Sequence, residues 1–358
     1  MREQHVRLIR TLTELHGAPG HEGAVRAGIE DELRGCAALS VDRMGSLIAA
    51  ARGNQAGPTI LLTAHMDEVG FMVREVTAGG FVRFAALGDW WDQVLLGQRV
   101  IIKTRRGDVP GVIGAVAPHL LSSAQRSRPV PLSEMFIDVG SFSAEETQDK
   151  LGVRIGDWIV PAAPFTLLRD GDFVLSKALD DRTGCALIIE CLQALASMPH
   201  PNRVFGAFTV REEIGRANSS LSGWEESPDV CFIVEVGLPA DTPATPAGQA
   251  SQDRLGGGVT LVTYDGVLLP NAALLDFVTE VAKEAGIPCQ PTAILGTAGI
   301  GTTTVMYDAP SLCVGVPIRY AHSHGSLMYL QDYEHALNLL MQLLQRLNQA
   351  ALEKIRRG

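Results

Sequence analysis

TVREEIG (residues 209–215) closes the apolar run from Val204 to Val210, and this junction decides how the chain is read. An apolar run of that length bounded by charge reads as a buried strand. Glu212 and Glu213 stand at its end. Side chains alternate in direction along a strand, so two adjacent carboxylates can serve different purposes, one holding a metal while the other moves a proton. Alone, the ordinary reading is a solvated turn after a core strand. The company changes it: His65, Asp67, Asp180, Glu235 and His322 also stand at strand ends. Together these residue types make a metal-hydrolase constellation.

Outward from that strand, the chain divides by texture. Residues 3–16 read as an amphipathic helix, with Val6, Leu8, Ile9, Leu12 and Leu15 near one face. GAPGHEG (17–23) breaks the chain before a second helix from about His21 to Leu33. The strand 59–64, TILLTA, leads into His65. From about Gly70 to Pro161, β-type segments such as GFMVREV, GFVRFAAL, QRVIIKT and GVIGAVA are punctuated by glycine, as in a small barrel or sandwich. Beyond Pro164, helix signals at 181–198, 271–285 and 332–355 alternate with strands at 203–210, 230–236 and 311–316. The pattern predicts an α/β sheet interrupted by a β-rich insertion, in three parts: 1–69, 70–161 and 162–358.

Bulk properties narrow the function classes. The 358 residues are 46% hydrophobic and 20% charged, with a formal net charge of -10 and a pI near 5.4. An acidic chain of this kind argues against a nucleic-acid or anionic-membrane surface. The six cysteines are scattered in apolar company with no CxxC pair, which predicts buried free thiols. No run reaches membrane-span length, and MREQHVRLIRTL lacks an apolar signal core. A cytoplasmic location is expected. GTAGIGTT (296–303) lacks the lysine that a phosphate-binding loop requires.

Each candidate has a chemical reason. In AHMDEVG (64–70), His65 and Asp67 lie on one side of an extended chain. A neutral imidazole is the commonest metal ligand, and Asp67 suits the support of a neighbouring base. In KALDDRTG (177–184), one aspartate is explained as a helix cap. The other, Asp180, has two oxygens and can bridge two cations. Glu235 is the single charge in the apolar strand VCFIVEVG (230–237); such a carboxylate coordinates metal or pairs with a base. RYAHSHGS (319–326) supplies His322 and His324, one of them a candidate ligand. Sites in open α/β sheets form outside the carboxyl ends of strands, where all of these lie.

The motifs AHMDEVG, ALDDRTG, TVREEIG and RYAHS, in that order, resemble the tetrahedral (TET-type) binuclear metallo-aminopeptidases, which include deblocking, leucyl and glutamyl aminopeptidases. Supporting stretches are GVIGAVAPHL (111–120), FIDVGSFSAEE (136–146), LGVRIGD (151–157) and GIPCQ (286–290). The resemblance spans almost the whole chain. It implies a three-layer α/β/α metallopeptidase domain of phosphorylase/hydrolase-like fold, with an inserted PDZ-like small β-barrel used in dimerisation and assembly. It implies two divalent ions, zinc, cobalt or manganese: His65 and Glu235 on one, His322 and Glu213 on the other, and Asp180 bridging. Glu212 would be the general base and Asp67 would orient His65. A cis peptide between Asp180 and Asp181 is also implied, as are short peptides as substrates and dimers assembling to a dodecamer.

The chain departs from the family pattern in three places. Glu235 replaces the usual aspartate, Ala298 in LGTAGIG (295–301) stands where an acid is usual, and HSHGS (322–326) replaces a histidine-Ser/Thr-Pro-Val-Glu run. The expected reaction is removal of N-terminal residues by a metal-bridged water, with Glu212 taking and returning its proton. An N-acyl amidohydrolase would use the same parts, and a scaffold that has lost turnover would keep the fold. Adjacent Glu212 and Glu213 do not suit a glycosidase, whose carboxylates face one another across about 5–10 Å.

Overall fold

Four neighbouring parallel strands, Arg203–Thr209, Thr59–His65, Val230–Gly237 and Ser311–Arg319, form the centre of a mixed 11-stranded sheet. Every residue of Thr59–His65 and Val230–Gly237 is buried. That is why these sequences are apolar almost throughout instead of alternating with polar residues. The computed structural model describes residues 2–51, 57–215, 226–243, 245, 253–266, 268–293 and 309–357. Antiparallel strands extend the sheet on both sides, Ala37–Val41 and Leu47–Ala51 beyond one flank, Ser326–Tyr329, Phe173–Ser176 and Thr166–Leu168 beyond the other.

Strand parity sorts the central residues into two faces. Ile60, Leu62, Phe232, Val234, Leu312 and Val314 join the main core with the helices Arg2–Glu14, Leu179–Leu195 and Leu330–Arg346. Gly206 belongs to this face because the helix comes close: a Cβ there would meet Ile188 at 2.6 Å and Leu192 at 3.0 Å. Leu61, Cys231 and Ile233 lie in smaller clusters of the other parity. His65 and Glu235 share that second parity, at the carboxyl ends of their strands.

The glycine-punctuated segment forms a closed barrel of six strands: Gly70–Val76, Val82–Leu87, Phe136–Asp138, Gly107–Gly114, Arg99–Thr104 and Trp158–Pro161, in order around it. Closure joins the first strand to the last, with Phe71 opposite Ile159 and Met72 opposite Trp158. Phe71, Phe84, Val100, Ile102, Ile137 and Ile159 fill its interior. A closed barrel leaves no unpaired strand edge. The chain thus has the α/β fold with an inserted barrel that the motifs imply.

One helix differs from expectation. The periodicity at 332–355 covers two helices, Leu330–Arg346 and Gln349–Arg357, broken at Leu347 and Asn348. Asn348 starts the second by accepting the Ala351 N–H at 3.1 Å, a typical N-cap bond that apolar periodicity does not register. All six cysteines are free, four of them buried. Among the described residues no helix is long and apolar enough to cross a membrane.

Candidate metal centre

The carboxyl ends of the four parallel strands deliver the candidate residues to one place. His65 is the last residue of its strand, Glu235 lies near the end of the next, and the segments after Thr209 and Arg319 carry Glu212, Glu213 and His322. Asp180 arrives from the start of the helix Leu179–Leu195, where the Asp180–Asp181 peptide is cis. His322 has φ 52°, Arg211 φ 60° and Ala178 φ 54°. Left-handed backbone is unfavourable for such residues and tends to cluster at functional sites.

Asp180 stands between two imidazoles. Its Oδ1 is 3.0 Å from His65 Nε2 and its Oδ2 is 3.4 Å from His322 Nε2. Glu235 Oε2 lies 3.6 Å from His65 Nε2, and Glu213 Oε2 lies 3.1 Å from His322 Nε2. The result is two triads sharing one carboxylate, His65–Asp180–Glu235 and Asp180–Glu213–His322, each with donor atoms within 4.8 Å of one another. Glu212 belongs to neither triad, but its Oε2 is 4.0 Å from His65 Nε2.

Asp67 is fully buried and does two things. Its main-chain oxygen faces His65 Nδ1 at 3.1 Å, with its Oδ1 at 3.6 Å from the same nitrogen. Its carboxylate accepts the N–H groups of Glu212 and Glu213 at 3.0 and 3.1 Å. Asp181 accepts the N–H groups of Gly184 and His65, which explains the second aspartate of the pair as a helix cap. His324 is buried against Trp90, apart from both triads. Ala298 lies outside the described residues.

The charge balance asks for cations. Among the described residues, no lysine or arginine forms an ion pair with Asp180, Glu213 or Glu235, and Glu213 Oε1 is buried without a hydrogen bond. Burial pushes the Glu213 carboxyl up to about 7, and burial with the nearby Asp181 and Asp180 pushes Glu235 well above the usual range. Burial opposes charge on the imidazoles, but the carboxylates outweigh it. Asp180 and Glu213 raise His322 to about 11, and Glu235 with Asp180 raises His65 well above its ordinary value. The same two imidazoles hold Asp180 below the usual carboxylate range in spite of its burial. Two imidazoles and three carboxylates, one with an oxygen toward each histidine, fit divalent first-row ions in both triads.

The surroundings contain groups that a reading of side chains along the sequence misses. Asp89, on a barrel loop, accepts from His322 Nδ1 through its main-chain oxygen at 2.8 Å, a contact in which its own side chain takes no part. Beside it, Gly88 has φ 94°, and a Cβ there would meet Val69 at 2.7 Å and Glu213 Oε2 at 3.4 Å. Lys177 and Glu68, one in each aspartate-bearing motif, form a buried ion pair with Nζ 2.7 and 2.8 Å from the two carboxylate oxygens. Arg182 adds Nη2 at 3.6 Å from Glu68 and donates to the carbonyls of Met66, Leu12 and Leu15. Removing Lys177 would leave the buried Glu68 carboxylate with the longer Arg182 contact and the Gly17 N–H. Lys177→Ala should lower unfolding stability by about 3–5 kcal/mol in urea titration, and a loss under 1 kcal/mol would contradict that role.

The profile of the M42 glutamyl aminopeptidase family matches residues 45–339. The chain belongs to this family. It is 36% identical over 341 residues to a relative named aminopeptidase FrvX from Escherichia coli (strain K12), covering 94% of each chain. A crystal structure of a TET aminopeptidase from the marine sediment archaeon Thaumarchaeota archaeon SCGC AB-539-E09 superposes with TM-score 0.94 at 37% identity, covering 99% of each chain. The Pyrococcus horikoshii TET1 peptidase, which can assemble into a tetrahedron or a large octahedral shell, gives TM-score 0.85 at 28% identity, covering 96% of this chain and 100% of that one. The M42 chain is therefore an aminopeptidase, a hydrolase of peptide bonds. M42 peptidases are metal-dependent, and the described residues of this member include two groups of side chains that could hold metal.

Proposed function

We propose that this M42 peptidase is a binuclear metallo-aminopeptidase that removes N-terminal residues from short peptides, with Glu212 as general base. The observation that carries the proposal is the position of Asp180, one oxygen toward each histidine, closing two triads around a shared carboxylate. His65 and Glu235 would hold one ion, His322 and Glu213 the other. When bound, the ions would polarise the scissile carbonyl and make water more acidic. Glu212 reaches within 4.0 Å of His65 Nε2 yet lies outside both triads, and it would take a proton from water and return it to the departing amine. Asp67 would hold both His65 and the backbone of the two glutamates.

Metal content decides between this reading and a scaffold. Protein purified without chelator or histidine tag should hold two equivalents of zinc, cobalt or manganese per chain. Uptake should release protons and weaken as pH falls, because both imidazoles hold protons tightly in the triads. Chelation should abolish hydrolysis of aminoacyl-anilides, and re-addition should restore it. Failure to bind metal in excess would leave the scaffold reading; cleavage of N-acetyl amino acids in place of aminoacyl-anilides would favour the amidohydrolase.

By analogy with similar TET peptidase structures, one a dodecamer in the asymmetric unit and one able to assemble into a tetrahedron, the chain would form dimers that build a dodecamer, with the barrel as its assembly element. Light scattering at working concentration would show a monomer's mass if that is wrong. Six free cysteines suit a reducing cytoplasm.

A further inference from the structure

The two glutamates of the 209–215 segment leave the same strand end in different directions, and the main chain that aims them is held from beneath. Three consecutive N–H groups each meet a carboxylate oxygen. Glu212 and Glu213 donate to Asp67, and Arg211 donates to Glu22 Oε1 at 3.1 Å. The same Glu22 oxygen accepts the Gly20 N–H at 2.7 Å. Arg211 has φ 60°, so its left-handed turn is what presents the three N–H groups to acceptors below.

Glu22 occupies the N-cap position of the helix Gly23–Glu32 yet makes no side-chain cap bond to it. A carboxylate in that position ordinarily accepts from its own helix. This one is 5% exposed and reaches across the fold to a backbone 189 residues away. Burial and the charge of Asp67 make its ionisation unfavourable, and its hydrogen bonds go to main-chain groups of two left-handed turns, at Gly20 and Arg211. Nothing in the stability of its own helix calls for that arrangement.

We propose that Glu22 is a positioning residue for the reaction. By fixing the main chain at Arg211, next to Glu212, it works with Asp67 to aim Glu212 for proton transfer. The inference rests on the proposed role of Glu212. Glu22 touches no donor atom of either triad, and Glu213 keeps its N–H bond to Asp67 and its place beside His322, so loss of Glu22 would loosen the main chain at Arg211 and the aim of Glu212 without removing a metal donor. The consequence is a loss of turnover with metal and substrate affinity kept.

The test compares wild type, Glu22→Gln, Glu22→Ala and Glu212→Gln on one aminoacyl-p-nitroanilide, with metal content and thermal midpoint measured on each preparation. Glu22→Ala should lose about 10- to 100-fold in kcat with KM within about twofold of wild type and metal equivalents unchanged. Glu22→Gln, which keeps one acceptor oxygen and the volume, should fall between Glu22→Ala and wild type. Full kcat in both Glu22 variants would overturn the inference, as would a kcat loss that only tracks lost metal or unfolded protein. If Glu22→Ala does not fold, the isosteric variant decides alone. An active Glu212→Gln would instead overturn the general-base reading, so the two failures are distinguishable.

Discussion

Glu212→Gln should bind its full complement of metal and lose about 10²- to 10⁴-fold in kcat, the usual contribution of a positioned general base. The substitution keeps side-chain volume and leaves the Glu212 N–H, which Asp67 holds at 3.0 Å, untouched. The residue is in neither triad, so no metal donor is removed. What disappears is a carboxylate oxygen 4.0 Å from His65 Nε2, at the edge of the shared site and partly open to solvent. Turnover on an aminoacyl-anilide, read beside metal content on the same preparation, separates proton transfer from assembly of the centre. Wild-type kcat in this variant would remove Glu212 from the mechanism. Loss of metal with loss of turnover would make it a ligand.

Asp180→Ala should empty both sites at once. Each oxygen of Asp180 faces a different histidine, and no other carboxylate is common to the two triads. Its removal takes an anionic donor from each, and the affinity loss should exceed the about 10- to 100-fold seen when only a supporting partner of a ligand is lost. Bound metal should drop below one equivalent per chain after dialysis, and hydrolysis should reach background. Glu235→Ala is the contrast. It leaves the Asp180–Glu213–His322 triad whole and should retain one ion. If Asp180→Ala instead holds one equivalent firmly, the shared carboxylate is not a bridge and the sites are independent.

Much of the fold was legible because parallel strands buried on both faces announce themselves as apolar runs, and each run here ends in chemistry. TILLTA before His65 and VCFIVEVG around Glu235 could be read as strands from composition alone. The barrel was legible from glycine spacing, though spacing alone left barrel and sandwich open; closure depends on the pairing of Phe71 with Ile159. The short strands Phe173–Ser176 and Ser326–Tyr329 were not legible, since each pairs with the other far along the chain, and Thr166–Leu168 is a three-residue edge strand hung on the first of them. The helix break at Asn348 was hidden by unbroken apolar periodicity across it.

Within the candidate centre, residues that offer a side chain to a triad could be named from motifs. Those that act through a main-chain atom or from another segment could not. Asp89 contributes a carbonyl, and Glu22 sits where a chain break passes into a helix, with nothing in its spacing to link it to residue 211. Lys177 and Glu68 did leave a trace: opposite charges inside two motifs whose neighbours are otherwise apolar. Their partnership depends on tertiary contact and not on spacing.

The pairing that seals the barrel has a mechanical consequence. Because Phe71 and Met72 pair with Ile159 and Trp158, the long excursion between His65 and Asp180 begins and returns through one clamped gate. Load applied at the barrel's distant loops, where Leu120 and Phe142 stand 80% and 92% exposed, is taken up within a closed cylinder before it reaches the clamp. The two ligand-bearing segments are thereby tied to one closed cylinder, whose loop at Gly88 and Asp89 also meets the candidate centre. The exposed rim, by contrast, is where the chain can lengthen or vary at least cost to the pairing that closes the barrel.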